Sequence, residues 1–294
     1  QSDATAPRAD ETEHTAPPAE TEAPVAFDTA EAAAHDPAED AGDEAEIDPS
    51  EDDPAEPDDE DEDGPTEEDE ALAAAAEKIT FADLGLSDAI LRAVTESGYL
   101  YPTPIQEQAI PIVLMGRDVL GCAQTGTGKT AGFTLPMLDI LAGSRAKARM
   151  PRSLILEPTR ELALQVAENF VKYGRHLSLT HALLIGGESM DEQRAVLEKG
   201  VDVLIATPGR LLDLFDRGRI LLADCKVLVI DEADRMLDMG FIPDVERIVS
   251  LLPRMRQTLF FSATMAPEIR RLADAFLQNP REISVSRAAS VATT

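Results

Sequence analysis

The sequence predicts a doubly wound α/β domain over residues 78–286, behind an acidic N-terminal tail over residues 1–77. Three observations predict it. Short apolar stretches without polar alternation recur from Phe81 onward, as a parallel sheet covered on both faces requires. These stretches alternate with amphipathic ones, the pattern of right-handed strand–helix–strand crossovers. Finally, every motif with chemical character follows a strand-like stretch, on the edge where such sheets bind ligands.

The elements follow in order. Leu84 to Ser97 reads as a helix with Leu86, Ile90, Leu91 and Val94 on one face. Val119–Gly121 is a strand, followed by a glycine-rich turn and a helix from about Lys129. Leu154–Leu156 is a strand and Arg160 to Tyr173 a helix; Ala182–Ile185 is a strand and Asp191 to Lys199 a helix. Val203–Ala206 is a strand with a helix after Thr207, and Val227–Ile230 a strand with a helix at Ile242 to Leu252. Leu259–Phe261 leads to a helix over Pro267 to Leu277, and Glu282–Val285 is a last strand entering a polar linker at 287–294.

Composition separates tail from domain. Residues 1–77 carry 30 of the 56 Asp and Glu residues but only Arg8 of the 26 Lys and Arg, so the tail holds −29 of the net −30. The remainder is near neutral at −1. With Phe27 as its only aromatic before Glu70, the tail buries too little apolar surface to offset its ordering entropy and is expected to be disordered. Like-charge repulsion extends the run Glu51–Glu70, while Ala71 to Lys78 is a helix-prone lead-in. Cys122 and Cys225 form neither a disulfide framework nor a zinc spacing, and reduced thiols are expected. No apolar run reaches the roughly 20 residues of a membrane span, and no secretory signal opens the chain. The chain starts at Gln1 rather than Met, which points to a processed or truncated product, and the cytoplasm is its expected location.

Two motifs define a nucleotide site. Ala123-Gln124-Thr125-Gly126-Thr127-Gly128-Lys129-Thr130 lies between a strand and a helix. Its glycines let backbone N–H groups turn towards phosphate oxygens, and the helix N-terminus adds positive potential. Lys129 would reach the β- and γ-phosphates of a nucleotide and the Thr130 hydroxyl would ligate Mg²⁺. The strict pattern starts with Gly where this chain has Ala123, so the loop alone also fits an ordinary glycine-rich turn. The second motif is the apolar stretch Val227–Ile230, which delivers Asp231 and Glu232 to the same edge. Asp231 would hold the Mg²⁺ shell, and Glu232 would orient and deprotonate the attacking water. A helix N-cap explains one such carboxylate. It does not explain the pair together with a phosphate loop, and an NTPase is predicted.

Asp231-Glu232-Ala233-Asp234 resembles the signature of the DEAD-box RNA helicases, and six further motifs in order resemble theirs. Gly98-Tyr99 with Pro102–Gln106 is similar to the adenine-reading segment, with Phe81 as its upstream aromatic. A carboxamide such as Gln106 can donate to and accept from adenine at once, while Tyr99 offers a flat face; Tyr99 and Phe81 also fit as core aromatics. Pro158-Thr159-Arg160, Gly186-Gly187 and Thr207-Pro208-Gly209-Arg210 resemble the RNA-contacting motifs, although either arginine also suits a structural ion pair. Ser262-Ala263-Thr264 resembles the motif that couples hydrolysis to strand separation. Met239–Pro243 and Gln257–Met265 look most like the bacterial RhlE type, whereas Tyr101 departs from the basic residue usual there.

The resemblance covers about Phe81 to Thr294. It implies a RecA-like P-loop NTPase domain that binds ATP, Mg²⁺ and RNA through backbone contacts, irrespective of sequence. It also implies a second RecA-like domain, which supplies arginine fingers worth ~10³ to 10⁵ in rate. Nothing in the sequence resembles that domain, so weak hydrolysis is expected of this chain alone. A DNA helicase or translocase, and a nucleotide-dependent RNA-binding module without turnover, are the alternatives. The tail reads either as a solvated extension, free to meet a protein partner, or as an RNA mimic folded onto the RNA face in autoinhibition. Deleting residues 1–70 raises RNA affinity at low salt in the second case, and unchanged affinity in a binding titration rules it out.

Overall fold

The computed structural model describes residues 78–143 and 150–285. The predicted tail, the residues 71–77 of its lead-in and the linker lie outside the described residues.

Among the described residues seven strands form one sheet in the order β3-β4-β2-β5-β6-β1-β7, and every pairing is parallel. They are β1 (Val119–Ala123), β2 (Ser153–Leu156), β3 (His181–Leu184), β4 (Val203–Ala206), β5 (Val227–Ile230), β6 (Gln257–Ser262) and β7 (Arg281–Val285). The helices are α1 (Asp88–Glu96), α2 (Pro104–Leu114), α3 (Lys129–Ala142), α4 (Arg160–Tyr173), α5 (Met190–Lys199), α6 (Pro208–Asp216), α7 (Ala233–Asp238), α8 (Ile242–Leu251) and α9 (Pro267–Phe276).

Strands β2, β4, β5 and β6 are buried along their whole length, so successive side chains serve two cores. Ile155, Val229, Leu259 and Phe261 point into one, where α1 to α4 cover them. Leu154, Leu156, Leu228, Ile230 and Phe260 point into the other, under α5 to α9. Only glycine suits Gly121 in β1, because a Cβ there would run into the Phe261 ring on the neighbouring strand.

At the amino ends of the strands, polar side chains tie the layers together. Asp118 accepts from the Thr258 N–H at 2.8 Å and the Gln278 N–H at 2.7 Å. The buried pair Arg152–Asp202, at 2.6 Å, joins the starts of β2 and β4, and Asp202 also accepts from Thr180 N at 2.8 Å.

Three elements differ from the sequence prediction. The expected helix over Leu84 to Ser97 is a 3₁₀ turn (Phe81–Leu84) and then α1, separated at Gly85, whose φ of 81° no helix accommodates. Helix α2 was not foreseen, although Thr103 as a capping-box residue and Pro104 at its first position announce it. The short α7, which follows the acidic pair, was also missed.

Removing Asp202 takes the carboxylate counter-ion from the buried Arg152 guanidinium, which keeps its bond to Leu141 O. Asp202→Ala is expected to lower unfolding free energy by about 3–5 kcal/mol in urea titration. A loss under about 1 kcal/mol would mean that Arg152 is satisfied without Asp202.

Candidate nucleotide site and nucleic-acid face

The strand that ends at Ala123 opens into a loop whose geometry depends on glycine. Gly126 and Gly128 have φ of 84° and 94°, and Gly128 is the N-cap of α3. Within the loop, Thr127 closes a turn by donating its hydroxyl to Gln124 O at 2.8 Å. Lys129 and Thr130 follow as the first two residues of α3, so the loop and the helix N-terminus face the same space.

That space is a cavity of about 440 Å³, lined by Thr125, Gly126, Gly128, Lys129, Thr130, Gln106, Glu157, Asp231 and Glu232, among others. Lys129 is 4% exposed; its Nζ donates to Glu232 Oε1 at 2.8 Å and lies 3.7 Å from Asp231 Oδ1. The Thr125 hydroxyl donates to the same Glu232 oxygen at 3.1 Å. Glu232 holds φ 51°, an uncommon conformation for a non-glycine residue, at the turn from β5 into α7. Burial pushes Asp231 up to about 6, with Lys129 opposing the rise.

The third acidic position of the signature faces elsewhere. Asp234 Oδ2 accepts from Thr264 N at 2.9 Å and from the Thr264 hydroxyl at 3.0 Å, while the Asp234 N–H donates to Ser262 Oγ at 3.2 Å. The ends of β5 and β6 are thereby fastened to each other.

Gln106 connects α2 to the phosphate loop. Its Oε1 accepts from Thr103 N at 3.0 Å and its Nε2 donates to Gly128 O at 3.1 Å. One N–H and one lone pair remain for a base. Phe81 is buried in the core, yet its edge lines the cavity. Tyr99 is 45% exposed, with Lys172 Nζ 4.7 Å above its ring and 3.3 Å from its hydroxyl, which draws the Tyr99 pKa down.

The expected RNA motifs occupy the other half of the same edge, after β2, β3 and β4. Thr159 caps α4 by accepting from Leu162 N at 3.3 Å. Thr207 and Pro208 open α6, with the Thr207 N–H donating to Leu184 O at 3.1 Å; Gly209 and Arg210 follow in its first turn. Pro158 is buried and Gly186 precedes a left-handed Gly187. Arg160 and Arg210 both reach Glu188, at 3.1 Å to its carboxylate and 3.2 Å to its carbonyl.

Thr125 belongs to the predicted phosphate loop, although nothing local foretells its bond to Glu232. One further residue of this edge carries no motif. Glu157 was not singled out, although a carboxylate directly after the apolar stretch Leu154–Leu156 repeats the pattern of Asp231 after Val227–Ile230. It is 1% exposed, its Oε1 has no hydrogen-bond partner among the described residues, and burial, reinforced by Asp231 and Glu232, raises its pKa well above the ordinary value.

The donor set suits a magnesium nucleotide. Asp231 and Thr130 offer hard oxygens, and where a Cβ on Gly126 would point there is nothing within 4 Å. No cluster of three or more His, Cys, Asp or Glu among the described residues could hold a metal alone, so a cation would share phosphate and water oxygens.

A parallel sheet with a phosphate loop after one strand and paired carboxylates two strands away defines a RecA-like P-loop domain. Residues 103–272 match the family model described as DEAD/DEAH box helicase, and the chain belongs to that family. It is 48% identical over 207 residues to an ATP-dependent RNA helicase DeaD of Buchnera aphidicola, covering 70% of this chain and 34% of the relative. It is 47% identical over 212 residues to the DEAD-box ATP-dependent RNA helicase RhpA of Helicobacter pylori, covering 72% and 42%. The chain thus spans well under half the length of these relatives. The crystal structure of a DEAD box protein from Methanococcus jannaschii superposes with a TM-score of 0.67 at 37% identity, over 70% of this chain and 56% of that one. Among the described residues no helix is long and apolar enough to cross a membrane.

Glu157 has a consequence for stability. Its native pKa lies above the ordinary 4.5, so the folded state binds this proton more tightly than the unfolded state. The contribution is fully present below pH 4.5 and is lost as pH rises through the native value. Glu157→Gln, which keeps the shape without the ionisation, is expected to match the wild-type Tm near pH 4 and exceed it at pH 8. A lower Tm at pH 8 would mean an ionised, well-paired carboxylate.

Proposed function

We propose that this chain is the ATP-binding half of a DEAD-box RNA helicase, binding magnesium ATP and single-stranded RNA on one sheet edge. The observation that carries this reading is the buried Lys129–Glu232–Asp231 cluster at the mouth of the phosphate loop. A triphosphate entering the loop at Ala123–Thr130 competes with Glu232 for the Lys129 ammonium, supported by N–H groups at the α3 N-terminus. Released from Lys129, the Glu232 carboxylate is free to take a proton from water. Thr130 and Asp231 would hold the magnesium ion, which neutralises phosphate charge when bound. Gln106 reads the adenine edge with its remaining N–H and lone pair, beside Phe81 and Tyr99. Asp234 ties the cluster to Ser262 and Thr264, the route by which hydrolysis is felt at β6.

On the β2–β4 half, Pro158, Thr159, Arg160, Gly186, Gly187, Thr207, Pro208, Gly209 and Arg210 receive the RNA backbone. Main-chain groups, hydroxyls and two arginines suit phosphate and 2′-OH contact without base reading. Duplex opening then requires the second RecA-like domain that the family resemblance implies. The RhlE-type likeness rests on Met239–Pro243 and Gln257–Met265, whereas the relatives above carry the names DeaD and RhpA. The cytoplasm, where RNA and reduced thiols coincide, is the proposed location.

Turnover of ATP with and without single-stranded RNA tests the proposal. Glu232→Gln is expected to leave ATP affinity within about threefold while lowering kcat by about 10² to 10⁴. Full turnover in that variant would place the base elsewhere.

A further inference from the structure

Glu188 stands between the two arginines of the proposed RNA face, in the loop from β3 to α5. Its carboxylate accepts from Arg160 Nη2 at 3.1 Å, and its carbonyl accepts from Arg210 Nη1 at 3.2 Å. The Arg160 guanidinium also packs against Gly187, so closely that a Cβ there would collide with it. The left-handed φ of 80° at Gly187 aims the next residue, Glu188, at that guanidinium. Both arginines come from different strand–helix turns, after β2 and after β4, and the turn after β3 gathers them.

We infer that the Glu188 carboxylate is an internal competitor for RNA, occupying on Arg160 the place of a backbone phosphate and setting how tightly the chain holds single strands. A carboxylate and a phosphate use the same guanidinium N–H groups, so one must leave for the other to bind. The exchange is easy, because the Arg160 and Glu188 side chains are 44% and 52% exposed and an ion pair at that exposure is weak. Arg210 is held through Nη1 by the carbonyl, which carries no net charge. Glu188 therefore weakens binding without abolishing it, and it withholds one charge contact from the salt-dependent part of affinity. This rests on the proposed RNA face.

Fluorescence anisotropy of a labelled single-stranded RNA across a salt series tests both, with circular dichroism confirming that each variant folds. Glu188→Gln is expected to tighten binding about two- to fivefold at low salt. It should also steepen the salt dependence by up to ~0.7 in log–log slope. Glu192→Gln, one turn further on and exposed, should change affinity less. Arg160→Ala should weaken binding, and adding Glu188→Gln to it should give no gain. Arg160→Ala weaker with Glu188→Gln unchanged overturns the competition alone. An equal gain from Glu192→Gln does the same, by reducing the effect to net charge. Arg160→Ala without effect, or no binding by any variant, overturns the RNA face and this inference together.

Discussion

Because every pairing in the sheet is parallel, all seven strands deliver their carboxyl ends to one edge, and the site depends on that constraint. The strand order then divides the edge. The ends of β5, β6 and β1 carry Asp231, Ser262 and the phosphate loop, while the adjacent β3, β4 and β2 carry the three arginine- and glycine-containing turns. The two halves meet where β2 pairs with β5, which places Glu157 beside Asp231. An antiparallel strand in this sheet would send one of these turns to the far edge.

The electrostatics of the nucleotide half are those of a site waiting for charge. One ammonium serves two buried carboxylates, and a third carboxyl, Glu157, lies close enough to have its ionisation opposed by both. Such a cluster favours a cation among its carboxylates, and on the proposed reading the magnesium ion that accompanies the nucleotide would supply it. The left-handed φ of Glu232 is consistent with this reading, since unusual backbone geometry concentrates where side-chain placement matters more than local comfort.

Much of this was legible in the sequence. Apolar stretches such as Val227–Ile230 and Leu154–Leu156 marked the strands because two-sided burial leaves no room for polar alternation. The phosphate loop and the acidic pair were legible because glycine spacing and strand-end carboxylates have few other uses. Helix α2 stayed hidden for a different reason. Its first turn reads as a binding motif, and its interior proline at Pro111 argues against a helix by propensity, though tertiary contacts to α3 outweigh that. The bonds of Gln106 to Gly128 and of Asp234 to Thr264 link residues 22 and 30 apart, and no local rule foretells them.

Those two bonds bear on how the parts of the nucleotide half are tied to one another. Gln106 holds the carbonyl of Gly128, the residue that caps α3, so on the proposed reading a base bound at this carboxamide would sit one hydrogen bond from the loop that faces the phosphates. Asp234 holds both the hydroxyl and the N–H of Thr264, so the β5 turn is fastened to the turn after β6. Each link is a hydrogen bond to a residue of a strand-to-helix turn, and neither requires the sheet to deform. On the proposed reading, nucleotide state is therefore reported at turns rather than through the core, whose close packing resists continuous change. Glu188 fits the same logic on the RNA half: a single turn residue, exposed enough to move, sets what the arginines of two neighbouring turns can offer.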